Sequence, residues 1–385
     1  MSAEKSSAAT LFVILVGALE GLIIGLYGTC VSEFMACFMV DEVKIGTLAS
    51  LFYLASIPGI LLALTIASRF GMGRTLRVAL TVQALSLLLF SAATSFLAAS
   101  ISYVLVGLTY GVLLNGPIGY INHTYGDRGA KYLNWFYGAF AFGLVVGPML
   151  SGTLLVKGYG WQVPYRIVAG LIVVASVLLI GRHFAQVPLA QVSLSKKSLT
   201  PRYWALVAGF STYSITEGAL NIWIGRYMSF VFNSNQGHYA LTVFWIGMII
   251  GRVLSGIFAG RVSISAQILV LGTVAISLLF SVGLCPSFAS STFVIGLAAL
   301  CLSGIGPGII NLLGVSGSGQ ATALAISVGT VTVAICMPLV ALAAGTLGFD
   351  KVLGISATPL IVAMGVMLVL SLRDVKSTRG HHLIP

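Results

Sequence analysis

Acidic side chains are scarce in this chain, with nine Asp and Glu against 20 Lys and Arg in 385 residues. Charge of both signs reaches only 8%, whereas soluble domains average about 25%. That shortage excludes an ordinary water-soluble domain. Cysteine is equally sparse: residues 30, 37, 285, 301 and 336 form no CxxC and no ligand spacing. Neither a disulfide framework nor a metal site is therefore expected. No G-x-x-x-x-G-K-[ST] loop occurs, so nothing points to an ATP-driven pump. GxGxxG-like glycines fall only inside apolar runs, without the strand–helix setting of a dinucleotide site. No enzyme activity and no cofactor are expected. No cleavable leader is expected either, because the apolar run from about Ala9 is too long for an h-region and lacks a clear cleavage site.

What is present is apolar length. Hydrophobic residues make up 58% of the chain, and glycine, at 45 residues, suits closely packed membrane helices. Runs long enough to span a bilayer are expected at 9–36, 44–68, 75–95, 97–122, 131–156, 163–184, 202–232, 238–260, 263–285, 288–312, 320–347 and 351–372. The lipid bilayer is thus an obligatory partner. The net charge of +11 resides in short connections between these runs, so it reads as membrane orientation rather than nucleic-acid binding. Lys5, Arg69, Arg74, Arg77, Arg128, Lys131, Arg182, Lys196, Lys197, Arg202, Arg261, Arg373, Lys376 and Arg379 fall on one side. Lys44, Lys157, Arg166 and Lys351 fall on the other, offset by Asp41, Glu42 and Asp350. The positive-inside rule then places both termini in the cytoplasm, and a bacterial inner membrane is expected.

The two halves repeat one another. Ala67-Ser68-Arg69 after the second span is echoed by Ala259-Gly260-Arg261 after the eighth, an offset of 192 residues. Pro148 and Pro338 are offset by 190, and Glu20 and Glu217 by 197. The expected organisation is a six-helix bundle over 1–184, a cytoplasmic linker over 185–200, and a second six-helix bundle with a short tail over 201–385.

On these features the chain resembles the major facilitator superfamily over essentially its whole length. The family's loop motif after the second span survives as Arg69, Gly71 and Arg74, with Leu64 and Ser68 at its Gly and Asp positions. Gly143-x-x-x-Gly147-Pro148-x-x-Ser151-Gly152 resembles the glycine-proline motif of antiporters, and reads equally as a kinked, closely packed helix. Leu133-Asn134, Phe142-Gly143, Glu217 with Trp223 and Tyr227, and Phe244-Trp245-x-Gly247-Met248 leading to Gly251-Arg252 resemble the fucose–proton symporter branch. That branch's fourth-span acidic residue is replaced here, Asn115 being the nearest polar group, and its fifth-span sugar contacts fall on Tyr137 and Phe140. The resemblance implies an all-α membrane protein of twelve transmembrane helices in two pseudo-symmetric six-helix bundles. It also implies a secondary transporter, expected to be a monomer that takes up a small organic solute by alternating access, coupled to protons or another ion.

Three acidic residues lie within or at the edge of the spans: Glu20, Glu33 and Glu217. A charge at bilayer depth costs a few kcal/mol or more, so intramembrane ionisable groups are functional candidates. Glu33 is near a span end and reads as interfacial. Glu20 sits roughly 16 Å of helical rise into its span, on one face with Tyr27. Tyr213, Glu217 and Asn221 recur at four-residue intervals and form one polar stripe. Glu20 and Glu217 are the expected proton-coupling residues, because burial favours a neutral carboxyl and water access favours the charged one. The expected substrate contacts are Tyr27, Asn115, Tyr137, Phe140, Tyr213, Asn221, Trp245 and Arg252. His238, Trp245 and Arg252 recur at seven-residue intervals on nearly one face. Arg252 can grip a carboxylate bidentately and resembles the substrate arginine of oxalate–formate antiporters, though the eleventh span has no lysine to complete an anion clamp. Arg226 lies about 180° from Glu217 on an ideal helix, which argues against an ion pair between them. Export of an amphipathic compound, organic-anion exchange on Arg252, and a non-transporting receptor are the alternatives.

Overall fold

The computed structural model describes residues 3–126, 129–182, 184, 199–257, 261–316 and 319–381, and these are almost entirely helical. Fourteen α-helices succeed one another among the described residues. They are α1 Ala3–Thr29, α2 Val31–Phe38, α3 Glu42–Phe70, α4 Met72–Ser91, α5 Phe96–Tyr125, α6 Gly129–Val156 and α7 Gln162–Leu178. Beyond the connection come α8 Pro201–Phe232, α9 Gly237–Ile257, α10 Ile264–Ser281, α11 Phe288–Leu302, α12 Ile305–Ser316, α13 Gly319–Leu347 and α14 Val352–His381. In a bilayer every backbone N–H and C=O must find a partner within the chain, which is why apolar runs of this length fold as helices.

Several helix starts are set by side-chain caps. Asp41 accepts from the Lys44 N–H at 2.9 Å to open α3. Ser95, Thr200, Ser263 and Ser287 do the same for α5, α8, α10 and α11. Each cap satisfies one of the amide donors that the first helical turn leaves open. Gly71 turns the chain from α3 into α4 with φ +83°, a conformation that side chains other than hydrogen strain to adopt.

Ten helices or helix pairs among the described residues are long and apolar enough to cross a membrane. The other two expected spans depart from that standard in opposite ways. The sixth is short, since α7 ends at Leu178 after 17 residues rather than continuing to 184. The seventh, α8, runs for 32 residues, but Tyr213, Glu217, Asn221 and Arg226 lower its hydropathy.

Two expected spans are broken. The first does not run from 9 to 36: α1 stops at Thr29, Cys30 leaves the helical ladder, and α2 begins at Val31. Glu33 therefore lies in the first turn of a separate short helix, where it is exposed. The tenth divides at Ser303-Gly304, just before Pro307, whose ring would collide with the carbonyl four residues earlier in a continuous helix.

The chain gathers into two compact units, Met1–Gln191 with Ser234–Thr242, and Val192–Asn233 with Val243–Pro385. The expected linker at 185–200 lies outside the described residues except for Leu199 and Thr200. In the first unit, α1 packs most extensively on α6, and α3 on α5. Both crossings are glycine contacts. A Cβ on Gly21 would lie 1.9 Å from the Phe140 carbonyl oxygen, and one on Gly143 2.2 Å from that of Ala18. At the α3–α5 crossing, a Cβ on Gly111 would lie 2.1 Å from the Ser56 carbonyl oxygen. The glycine-proline stretch of the fifth span is thus a packing surface, with Gly147 and Pro148 seated against Gly25.

In the second unit α8 is central, contacting α14, α13 and α12. There α9 presses on α11 through Gly247 and Gly251, whose Cβ atoms would approach the carbonyl oxygens of Gly296 and Leu300 to 2.5 Å and 2.3 Å.

Candidate functional site

The polar stripe of α8 meets a polar face of α9 in the second unit. Trp245 donates its Nε1 proton to Asn221 Oδ1 at 3.0 Å, and both residues are buried. Further along, Arg252 Nη2 donates to Glu217 Oε1 at 3.3 Å, an ion pair whose side chains retain 36% and 24% exposure. Tyr213, one turn before Glu217, is buried. Its hydroxyl is close enough to feel both charges but lies outside hydrogen-bonding geometry. Gly306 of α12 makes room for that ring, because a Cβ there would meet Tyr213 Cε1 at 2.5 Å.

Four of the expected substrate contacts, Tyr213, Asn221, Trp245 and Arg252, therefore come together around Glu217. The Glu217–Arg252 pair is what the one-dimensional reading missed, since it weighed Arg226 as the only partner for Glu217. Instead the Arg226 guanidinium lies over the rings of Phe230 and Phe349, at 5.6 Å and 5.5 Å. The repeat held the available signal: Trp245 and Arg252 share a helical face, as do Tyr213, Glu217 and Asn221, on consecutive antiparallel spans.

Asn221 Oδ1 is a buried acceptor, and among the described residues its donor is Trp245 Nε1, at 3.0 Å. Trp245→Phe should therefore lower thermal stability by about 1–3 kcal/mol, the cost of an orphaned buried polar group. The check is the unfolding midpoint in detergent, compared with an Asn221→Leu/Trp245→Phe double variant. Removing both partners should cost less than the sum of the two single changes.

Glu20 has a different environment, inside the first unit. It is fully buried, and Gln83 of α4, also fully buried, donates Nε2–H to its Oε2 at 3.0 Å. Gln83 was not among the expected site residues, although an amide in the middle of an otherwise apolar third span was visible in the sequence.

The remaining expected contacts are dispersed. Tyr27 is buried, donates its hydroxyl to the Ile45 carbonyl at 2.7 Å, and stacks on Tyr103. It belongs to an aromatic cluster with Phe34, Phe90, Trp161 and Tyr165. Asn115 donates Nδ2–H to the Ile60 carbonyl at 2.8 Å, tying α5 to α3. Phe140 is half-buried, with its carbonyl against Gly21, and Tyr137 is exposed. His238, the third member of the seven-residue series, is buried against Gly152 rather than near Trp245 and Arg252. A cavity of about 500 Å³ lies between the start of α8 and α14, bordered by Arg202, Ala205, Val362 and Val366, and it shares no residue with the Glu217 cluster. Among the described residues no group of three or more His, Cys, Asp or Glu could hold a metal ion.

Ten helices among the described residues that are long and apolar enough to cross a membrane, with a few polar side chains set into the bundle, define an integral membrane protein, and its family makes it a transporter rather than an enzyme. Residues 9–317 match the family model of the Major Facilitator Superfamily, and the chain belongs to that family. No curated protein sequence matches. Among solved structures, the chain is similar to a bacterial homolog of the human lysosomal transporter Spinster in an inward-facing and occupied conformation. The TM-score is 0.77 at 13% identity, covering 96% of this chain and 98% of that one. It is also similar to the xylose transporter XylE from E. coli, with TM-score 0.73, 14% identity, and coverage of 93% and 96%. The nucleoside transporter NupG, as a D323A mutant, gives TM-score 0.70, 13% identity, and coverage of 94% and 98%. At these identities the likeness is one of fold.

Proposed function

We propose that this chain is a proton-coupled secondary transporter that takes up a small organic solute by alternating access. The observation that carries the reading is the Glu217–Arg252 pair: two opposite charges, partly exposed, set beside Tyr213, Asn221 and Trp245 in an otherwise apolar unit. An intramembrane ion pair is costly to maintain, and its natural use is to exchange partners with a proton or a charged ligand group. Protonation of Glu217 would release Arg252, and loss of the proton would restore the pair. Substrate contact then falls to Tyr213, Asn221, Trp245 and Arg252, with Glu20 as a second titrating group in the repeat-related helix.

The structural likeness to a xylose transporter and a nucleoside transporter fits a small polar solute, and the motif-level likeness to the fucose–proton symporter branch fits proton symport. The basic residues clustered on alternate connections support cytoplasmic termini in a bacterial inner membrane. The residues of each polar cluster lie within one unit of one chain, which fits a working monomer, with residues 1–184 and 201–385 as the bundles and 185–200 as their linker.

A second reading, exchange of an organic anion, has one specific observation behind it. The Nε of Arg252 is buried and has no hydrogen-bond partner among the described residues, so the guanidinium has donor capacity left for a carboxylate. The test is uptake into proteoliposomes under an imposed pH gradient, using solutes found by a thermal-shift screen of sugars, nucleosides and organic acids. Accumulation that follows the gradient supports symport. Accumulation that follows only an opposing anion gradient replaces it with exchange.

A further inference from the structure

The buried amide of Gln83 faces a carboxyl that the repeat singles out, and the two side chains leave a specific gap. Gln83 Nε2 donates to Glu20 Oε2 at 3.0 Å. The other oxygen of each group, Glu20 Oε1 and Gln83 Oε1, is buried and without a partner among the described residues. If Glu20 were a carboxylate, an anionic oxygen and an amide oxygen would both be orphaned in the interior, at a cost of several kcal/mol. A proton on Oε1 converts the first of these acceptors into a donor, and the amide oxygen left over on Gln83 is the matching acceptor.

We propose that Gln83 is a positioning residue for proton coupling, holding Glu20 as a carboxylic acid in an acid–amide pair until that pair opens. The proposal rests on Glu20 titrating during transport, as argued above. On opening, the proton leaves Oε1 for water admitted to the site, and the Gln83 amide remains as a donor to the carboxylate. Reclosure requires the proton to return.

Helix α1 packs on α2, α5, α6 and α7, and α4 on α3, α5 and α7. Of the titratable and charged side chains on these helices, Lys131 lies over Trp135, Arg166 donates to Ser91, and Tyr103 and Tyr165 pack in the aromatic cluster with Tyr27. Of the described groups, Gln83 is the side chain that hydrogen-bonds to Glu20.

Infrared difference spectroscopy of the purified protein tests the pair directly. A carboxylic-acid C=O band at neutral pH, absent from Glu20→Gln, should appear in the wild-type protein and move to higher frequency in the near-isosteric Gln83→Met, which cannot donate to Oε2. In proteoliposomes the pH of half-maximal transport should move by about one unit in Gln83→Met, the scale of one lost hydrogen bond. A wild-type spectrum with no Glu20 acid band, or an identical band in Gln83→Met, overturns the proposal even if the variant transports poorly. Should Glu20→Gln abolish gradient-driven uptake while Gln83→Met keeps the wild-type pH profile, the coupling role of Glu20 survives and that of Gln83 does not. Should Glu20→Gln retain gradient-driven uptake, the coupling role of Glu20 fails, whatever the infrared band shows.

Discussion

Glu217→Gln protein, reconstituted into proteoliposomes with an imposed pH gradient, is expected to equilibrate its solute without accumulating it. Glutamine keeps the size of the side chain and can still accept from Arg252, so the α8–α9 contact survives. What it cannot do is gain and lose a proton, so the energy of the gradient no longer reaches the substrate. Counterflow of labelled solute at equal pH should persist, which separates loss of coupling from loss of folding. Glu20→Gln should give the same split for the other half of the repeat, since an amide there can still pair with Gln83. If both variants accumulate solute as the wild type does, proton coupling through these carboxyls is wrong. If only one does, coupling belongs to the other.

The second large effect is on assembly. Gly21→Val should prevent stable folding, measured as loss of the monodisperse peak on fluorescence size-exclusion chromatography. The Cβ alone would stand 1.9 Å from the Phe140 carbonyl oxygen, a backbone atom that cannot swing aside. The helices would have to separate along the whole α1–α6 crossing, where Gly25, Gly143 and Gly147 are also in contact. Overpacking in a well-packed core commonly costs about 1–3 kcal/mol, and a clash with rigid backbone lies at or beyond the upper end. Gly138, on the same helix as Gly143, has open space where a Cβ would go, so Gly138→Ala should leave the profile unchanged. A normal profile for Gly21→Val would mean that α1 and α6 do not cross this closely.

The class of protein was legible in composition and run length, because the bilayer imposes one solution on long apolar segments. The repeat was legible too, through Arg69 with Arg261, Pro148 with Pro338, and Glu20 with Glu217. Helix interruptions were harder. Nothing in the apolar run 9–36 marked Cys30 as a break, and the expected span 288–312 passed over Pro307, the residue that accounts for the split between α11 and α12. Site residues were legible as faces of single helices. Tyr213, Glu217 and Asn221 share one such face, and Trp245 and Arg252 another. Tyr27 was read as lining a site for the same reason, yet its hydroxyl is spent on the Ile45 carbonyl and its ring on an aromatic cluster.

By itself the sequence determined that this is a multi-helix membrane transporter with two related halves and a carboxyl in the first helix of each. Those properties follow from local hydropathy and from positions along the chain. Only the tertiary structure decided that the two carboxyls are unlike: Glu217 faces an arginine, and Glu20 faces a glutamine. Helical periodicity fixes the direction in which a side chain points, but its neighbour depends on which helices cross and at what depth. The close crossings that hold α1 and α9 in place are glycine contacts with helices far along the chain or beyond the next one, α6 and α11, and no single-helix pattern shows them.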